Sequence, residues 1–325
     1  LNAIVAIHNT VLGPGLGGTR VWPHETFEAA LTDVLRLSRG MTFKSAVAGM
    51  AFGGGKALII ANSKTDKTPA LLEAYAEMLR GLKEVFVTAE DVGMTLADAD
   101  FLKTLTPNVS GTTAGGSGNP SPVTAQGTFL GLKATVRHRF GSDDLSGLRV
   151  TVQGLGAVGW SLCEKLHEAG AALTVADIDA ARVERAVSQF GADRADPKTI
   201  VMAGADVFAP CALGGVLSEQ TIPRLKAGAV AGSANNQLAR PEDAVRLQQR
   251  GILYAPDYVI NAGGLVNVAA ELAPGGYDRA AAMARVGEIP ATLDRIFTLA
   301  KKGGATPVDV ARAIARDRIA AKKAA

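Results

Sequence analysis

Apolar positions along the first third of the chain switch between two periods. Ala3 to Ile7 reads as a strand, while Phe27, Ala30, Leu31, Val34 and Leu35 recur at helical spacing over 27–37. Ala57 to Ile60 and Val85 to Thr88 are further short strand candidates. Thr68-Pro69 places a capping hydroxyl before a first-turn proline, predicting a helix to about Leu82. Thr95-Leu96-Ala97-Asp98 has the form of a capping box. Gly111 to Pro122 then breaks the pattern with Gly, Ser, Thr, Asn and Pro, a loop and hinge composition.

After that break, Ser121-Pro122 opens a helix predicted to run to about Arg139. Strands and helices then alternate, with strands expected at 149–153, 173–177, 206–208, 229–232 and 252–255. Such alternation predicts a parallel sheet with helices on both faces. The expected fold is α/β, with a mixed α/β catalytic domain over 1–120 and a Rossmann-type doubly wound domain over 121–300. A helical tail over 301–325, its last helix starting at Thr306-Pro307, is expected to pack back on the first domain. The chain opens at Leu1 without Met and inside a strand-like run, so a preceding segment is expected; Ile319 to Ala325 reads as a fraying helix end.

Composition narrows the class. Apolar residues make up 47% of 325 and charged residues 20%, with a net charge of +3 and no dense Lys/Arg block. That balance belongs to a globular enzyme and points to neither nucleic acid nor an anionic membrane as partner. Two cysteines, Cys163 and Cys211, are too few for a disulfide framework or a zinc cluster, so no metal site is expected. Both read as buried thiols in a reducing, cytoplasmic setting. No run of apolar residues is long enough to span a bilayer.

Gly154-Leu155-Gly156-Ala157-Val158-Gly159 follows the strand at 149–153, opens a helix, and is followed 23 residues after its first glycine by Asp177 at a strand end. The context makes this a dinucleotide fingerprint. Its glycines allow a tight turn, close approach of the pyrophosphate, and tight helix–strand packing, while the helix N-terminus receives the phosphates. Asp177 would accept the ribose hydroxyls and repel a 2′-phosphate, favouring NAD over NADP. Gly13-Pro14-Gly15-Leu16-Gly17-Gly18 has the same spacing but no helix follows. Gly53-Gly54-Gly55-Lys56 lacks the first glycine and the Ser/Thr of a P-loop, since Met50 and Ala57 stand there.

Lys44, Lys56 and Asp91 stand out as charges in apolar or glycine-rich surroundings. A lysine among glycines is open to desolvation, which favours its neutral, basic form. The segments 12–20, 40–44, 53–56, 88–93, 118–124, 209–212, 232–237 and 260–264 together resemble the amino-acid dehydrogenases acting on glutamate, leucine, phenylalanine and valine, in order and over nearly the whole chain. The resemblance implies a cleft between the two domains and an oligomer. It makes Lys44 the holder of the substrate carboxylate, Lys56 the lysine that activates water, and Asp91 the proton shuttle to the amino nitrogen. Gly17 and Gly18 would line the substrate pocket, and Thr124 and Asn235 would meet the cofactor.

Glutamate-specific members carry a lysine where this chain has Leu16, so an apolar substrate is expected. Ala89 resembles the leucine enzymes, Leu265 the phenylalanine enzymes, and Val268 suits either. Leucine, valine or isoleucine is the expected substrate, with phenylalanine as the alternative. A non-catalytic NAD sensor is a third reading, but such a protein would have no need of Lys56 and Asp91, and both are present.

Overall fold

The computed structural model describes residues 1–324. Close contacts group the chain into two units: residues 1–120 with 265–283 and the chain from 313 onward, and residues 121–264 with 284–312.

In the first unit, β1 (Ala3–Asn9), β2 (Gly15–Leu16), β3 (Thr19–Val21), β4 (Gly53–Ile59) and β5 (Phe86–Val87) form one sheet in the order β1-β4-β2-β5, with β3 also paired to β4. Only β1 runs antiparallel to its neighbour. Side chains of a strand alternate between the two faces, and both faces are covered. Ala57 and Ile59 of β4 pack with Leu72, Tyr75 and Leu79 of α2 (Pro69–Arg80) and with Ala99 and Leu102 of α3 (Leu96–Leu105). Leu58, on the opposite side, packs with Ala30 and Val34 of α1 (Phe27–Val47) and with Ala6. Lys56 shares the parity of Leu58 and therefore points to the α1 face.

Two elements are longer than their apolar pattern. α1 runs on to Val47, well past residue 37, because its buried stripe continues through small residues, Ser38, Thr42, Ser45 and Ala46. β4 starts at Gly53, where the glycines carry no pattern but their backbone pairs with β1 and β2. Thr68 and Thr95 cap α2 and α3, the latter in a reciprocal box with Asp98.

The second unit begins with α4 (Ser121–Phe140) and continues through β6 (Arg149–Gln153), α5 (Ala157–Glu168), β7 (Ala172–Ala176), α6 (Ala180–Phe190), β8 (Asp193–Arg194), β9 (Val207–Pro210), β10 (Ala229–Val230), α7 (Asp243–Gln249), β11 (Leu253–Tyr254) and α8 (Asp257–Ile260). Its sheet is wholly parallel, ordered β11-β10-β9-β6-β7-β8. The chain builds outward from β6 to β8, then restarts at β9 on the other side of β6. That reversal creates the crevice at strand C-termini where doubly wound folds bind ligands. β8 went unread because Asp193 and Arg194 are exposed polar residues on a sheet edge.

Four helices complete the chain: α9 (Gly263–Ala270), α10 (Arg279–Val286), α11 (Ile289–Gly303) and α12 (Pro307–Ala324). Leu265–Met283, which the sequence pattern leaves in the second domain, groups with the first unit. The reason is polar: Glu271 accepts the N–H groups of Gly111 and Ser117 at 2.7 and 2.6 Å. Arg318 of α12 donates to the carbonyls of Ala46 and Gly49 at the end of α1, also within that unit. α12 stays helical to Ala324, so the fraying expected from Ile319 is absent there; Ala325 lies outside the described residues. No helix among the described residues is long and apolar enough to cross a membrane.

Candidate functional site

The chemistry-bearing side chains of the first unit gather on the α1 face of its sheet. Lys56 is buried at 5% exposure, and its Nζ lies 2.9 Å from Asp91 Oδ1. Asp91 follows β5 in a segment held against β3: Thr19 N–H donates to the Ala89 carbonyl and Val21 N–H to that of Val92, each at 2.8 Å. Thr19 and Val21 point to the α2 side, so Arg20 between them points to the α1 side. Arg20 Nε meets Asp91 Oδ2 at 3.0 Å, and its Nη1 meets Asp33 Oδ2 of α1 at 3.0 Å. His24 Nε2 stands 3.4 Å from the same Asp33 oxygen. Arg20, Asp33 and His24 were not singled out in the sequence; Arg20 lies inside the glycine-rich motif, but nothing in the linear pattern joins it to Asp91.

Electrostatics follow from this packing. Burial pushes the Asp91 carboxyl up, yet Lys56 and Arg20 beside it prevail and bring it down to about 2. Glu90, next in the chain, is shifted upward by burial and by the Asp91 charge. Asp91 is thus a carboxylate flanked by two cations, partly exposed at 20% of its side chain.

The glycines explain how close the parts lie. A methyl on Gly54 would fall 2.1 Å from Thr42 Oγ1, so α1 rests on the bare backbone of β4. One on Gly18 would sit 2.4 Å from the Glu90 carbonyl and 3.0 Å from Asp91 Cβ. One on Gly17 would approach Met41 of α1 at 3.3 Å. Lys44 lies three residues beyond Met41, on the same helix face, in the last turn of α1.

Leu16 is fully buried in β2, between Gly54 of β4 and Val87 of β5. Ala89 and Val268 converge on Gly111, each 3.7 Å from where a methyl on that glycine would lie. Leu265, Val268 and Ala89 are all nearly buried. The Gly111–Ser117 loop, on whose first glycine these side chains converge, is fastened by Glu271, which sequence reading also missed, and by Asn267 Nδ2 on the Ser117 carbonyl.

In the second unit the fingerprint sits at the C-terminal end of β6, at the sheet's reversal point. Gly154 adopts φ +96° and packs against Ala212 beyond β9, where a side chain would meet atoms at 2.8 Å. Gly159 lies so close under Gly154 that a methyl would be 2.0 Å from its carbonyl oxygen. Above Gly156 there is open space, and Gly156 caps α5 without a side-chain hydrogen bond. The first N–H groups of α5, starting at Ala157 and Val158, therefore remain available to an anion. Asp177, just past β7, accepts the Leu155 N–H at 2.6 Å and the Asp179 N–H at 2.9 Å. Thr124 lies in the first turn of α4, beside Gly263, which packs against the backbone of Val123 and Thr124. Asn235, in the loop after β10, accepts from Asn261 Nδ2 at 2.8 Å; Asn261 also holds the Ser233 carbonyl. A tight turn, an uncapped helix end and an acid at the next strand end fit a dinucleotide. No metal-binding cluster of His, Cys, Asp and Glu exists among the described residues.

An α/β protein with a doubly wound parallel sheet and a separate lysine–aspartate centre has the parts of a dinucleotide-linked dehydrogenase. The description Glu/Leu/Phe/Val dehydrogenase, dimerisation domain, matches residues 1–107, and Glutamate/Leucine/Phenylalanine/Valine dehydrogenase matches 178–324. The chain is 49% identical to leucine dehydrogenase of Geobacillus stearothermophilus, over 98% of this chain and 87% of that one. It is 45% identical to phenylalanine dehydrogenase of Lysinibacillus sphaericus, over 96% of this chain and 83% of the relative. The crystal structure of L-tryptophan dehydrogenase from Nostoc punctiforme superposes with a TM-score of 0.84 at 47% identity, covering 99% of this chain and 93% of that one. The chain belongs to the Glu/Leu/Phe/Val dehydrogenase family and is an amino-acid dehydrogenase.

Proposed function

We propose that this enzyme carries out the NAD-dependent oxidative deamination of leucine, valine or isoleucine to the 2-oxo acid and ammonia. The observation that carries the chemistry is the Lys56–Asp91 pair, a buried lysine 2.9 Å from a carboxylate that stays ionised. Lys44 holds the substrate carboxylate. Asp91 first takes a proton from the substrate's ammonium group. A bound NAD would supply the hydride acceptor for the substrate Cα. Lys56, in its neutral form, takes a proton from water, which adds to the substrate's iminium carbon. Asp91 then returns its proton to the amino nitrogen and, as ammonia departs and the carbonyl forms, takes the hydroxyl proton.

Gly154, Leu155, Gly156, Ala157, Val158 and Gly159 would hold the pyrophosphate, Asp177 the adenosine ribose, and Thr124 and Asn235 the nicotinamide end. Overall identity does not select the substrate, since relatives named for leucine, tryptophan and phenylalanine all fall between 45 and 49%. The residues proposed to line the pocket support an aliphatic one. Buried Leu16 offers no cation to a side-chain carboxylate, which would cost several kcal/mol to bury unpaired. Ala89 and Val268, meeting at Gly111, suit a branched aliphatic chain. Leu265 favours phenylalanine as the second reading.

Self-association through the first unit accords with the dimerisation-domain description that its sequence matches. The free thiols Cys163 and Cys211 accord with a cytoplasmic setting. The deciding experiment is NAD reduction measured across leucine, valine, isoleucine, phenylalanine, tryptophan and glutamate. Preference for an aromatic amino acid or glutamate would overturn the substrate assignment.

A further inference from the structure

The Lys56–Asp91 pair faces a chemical difficulty of its own. Each member supports the charge of the other, so when Lys56 gives up its proton to act as a base, Asp91 loses a stabilising cation. A carboxylate in a largely buried place would then draw a proton to itself. The charge state of one member therefore bears on that of the other.

Arg20 removes that difficulty. Its guanidinium does not deprotonate in proteins and presents several donors in a fixed plane. Nε reaches Asp91 Oδ2 at 3.0 Å, the oxygen not used by Lys56, while Nη1 reaches Asp33 at 3.0 Å. Asp33 belongs to α1 and Asp91 to the segment after β5, so Arg20 ties two elements together at the centre. The charged groups around Asp91 are Lys56 from β4, Arg20 from β3, and Glu90 beside it, with Asp33 and His24 one step further out. Asp33 partly offsets the Arg20 charge and fixes the plane of the guanidinium.

We infer that Arg20, anchored by Asp33, is a positioning residue for the reaction: it is the permanent cation that aims Asp91 and sets the proton affinity of the Lys56–Asp91 pair. This rests on the catalytic roles proposed for that pair. Arg20 touches neither substrate nor water in this scheme and acts through Asp91. Its sign is definite. Removing a fixed positive charge raises the proton affinity of the pair, whichever member holds the proton. Removing the negative charge of Asp33, with the hydrogen bond kept, lowers it.

The test is the pH profile of kcat/KM for leucine with NAD, compared between the unmodified enzyme, Arg20→Gln, Arg20→Lys and Asp33→Asn. Arg20→Gln should move the acid limb up by ~1 pH unit or more and lower kcat at least tenfold. Arg20→Lys should return the limb close to its original place. Asp33→Asn should move it the opposite way, by a few tenths of a unit, a result that a purely structural role for Arg20 does not give. Should Arg20→Gln fail to fold, Asp33→Asn carries the test through that reversed sign. An unmoved limb in Asp33→Asn and in any folded Arg20→Gln enzyme would overturn the inference. Asp91→Asn, run alongside, separates the two levels. Full turnover in Asp91→Asn overturns the proposed role of Asp91 itself, whereas an inactive Asp91→Asn with unmoved limbs in the others overturns only the role of Arg20.

Discussion

The backbone N–H of Leu155 donates to Asp177 Oδ2 at 2.6 Å, joining the glycine turn after β6 to the end of β7. The acid therefore shapes the turn, and in the proposed reading it also meets the adenosine ribose. Each carboxylate oxygen retains a lone pair beyond the one given to Leu155 or Asp179. Arg182, the nearest basic residue in sequence, is engaged with Asp179 at 3.3 Å, leaving the Asp177 charge uncompensated by it.

NAD should accordingly be preferred over NADP, and Asp177→Ser should narrow or reverse that preference while weakening NAD binding through the lost Leu155 contact. Ratios of kcat/KM for the two coenzymes decide this. Equal values in the unmodified enzyme would refute the reading of Asp177.

Lys56→Ala should abolish turnover by ~10²–10⁴-fold or more while leaving NAD affinity nearly intact, because Lys56 belongs to the first unit's sheet and not to the fingerprint. Stopped turnover with NAD titrated by fluorescence separates the two effects. Retention of more than half the original rate would remove Lys56 from the mechanism.

Lys44→Ala should act mainly on the KM for the amino acid, since it would delete the charge-assisted contact proposed for the α-carboxylate. Lys44 sits in the last turn of α1, one turn beyond the residue packed on Gly17. An unchanged KM with altered thermal stability would make Lys44 a structural residue.

Pocket substitutions should separate the substrates. Leucine and valine gain roughly 1.5–3 kcal/mol from burying the side chain, whereas glutamate finds no cation at Leu16. Leu16→Lys should admit some glutamate. Ala89→Gly should raise relative activity on phenylalanine by opening the wall that Ala89 and Val268 form at Gly111. If Ala89→Gly changes nothing and phenylalanine is already preferred, Leu265 governs the pocket.

Acid stability should report the Asp91 pair. The Asp91 carboxyl is held near 2, below its unfolded value of about 3.9, so its contribution is present above that value and is lost as pH falls towards 2. The contribution is on the order of 2 kcal/mol. The difference in Tm between the unmodified enzyme and Asp91→Asn should therefore be largest near neutral pH and shrink below about pH 4. A difference independent of pH would mean that the substitution acts through packing.

Much of this protein is written locally. Strand–helix alternation after residue 149, the capping hydroxyls of Thr68 and Thr95, and the fingerprint at 154–159 depend on neighbours a few positions apart, and the structure shows each of them. Lys56 and Asp91 were legible as charges out of place among glycines and apolar residues. What the linear pattern does not hold is which distant groups meet. Arg20, Asp33 and Asp91 come together because pleat alternation turns Arg20 and Lys56 to one face and the bare backbone of Gly54 lets α1 lie against it. Glu271 reaches back to Gly111 and Ser117 from far along the chain, a contact within the first unit that no local pattern encodes. The extent of α1 was hidden for a related reason, since its last turns are buried through serine, threonine and alanine, where fit to a glycine strand replaces hydrophobicity. Local periodicity fixes elements; close packing of small residues decides which charges become neighbours.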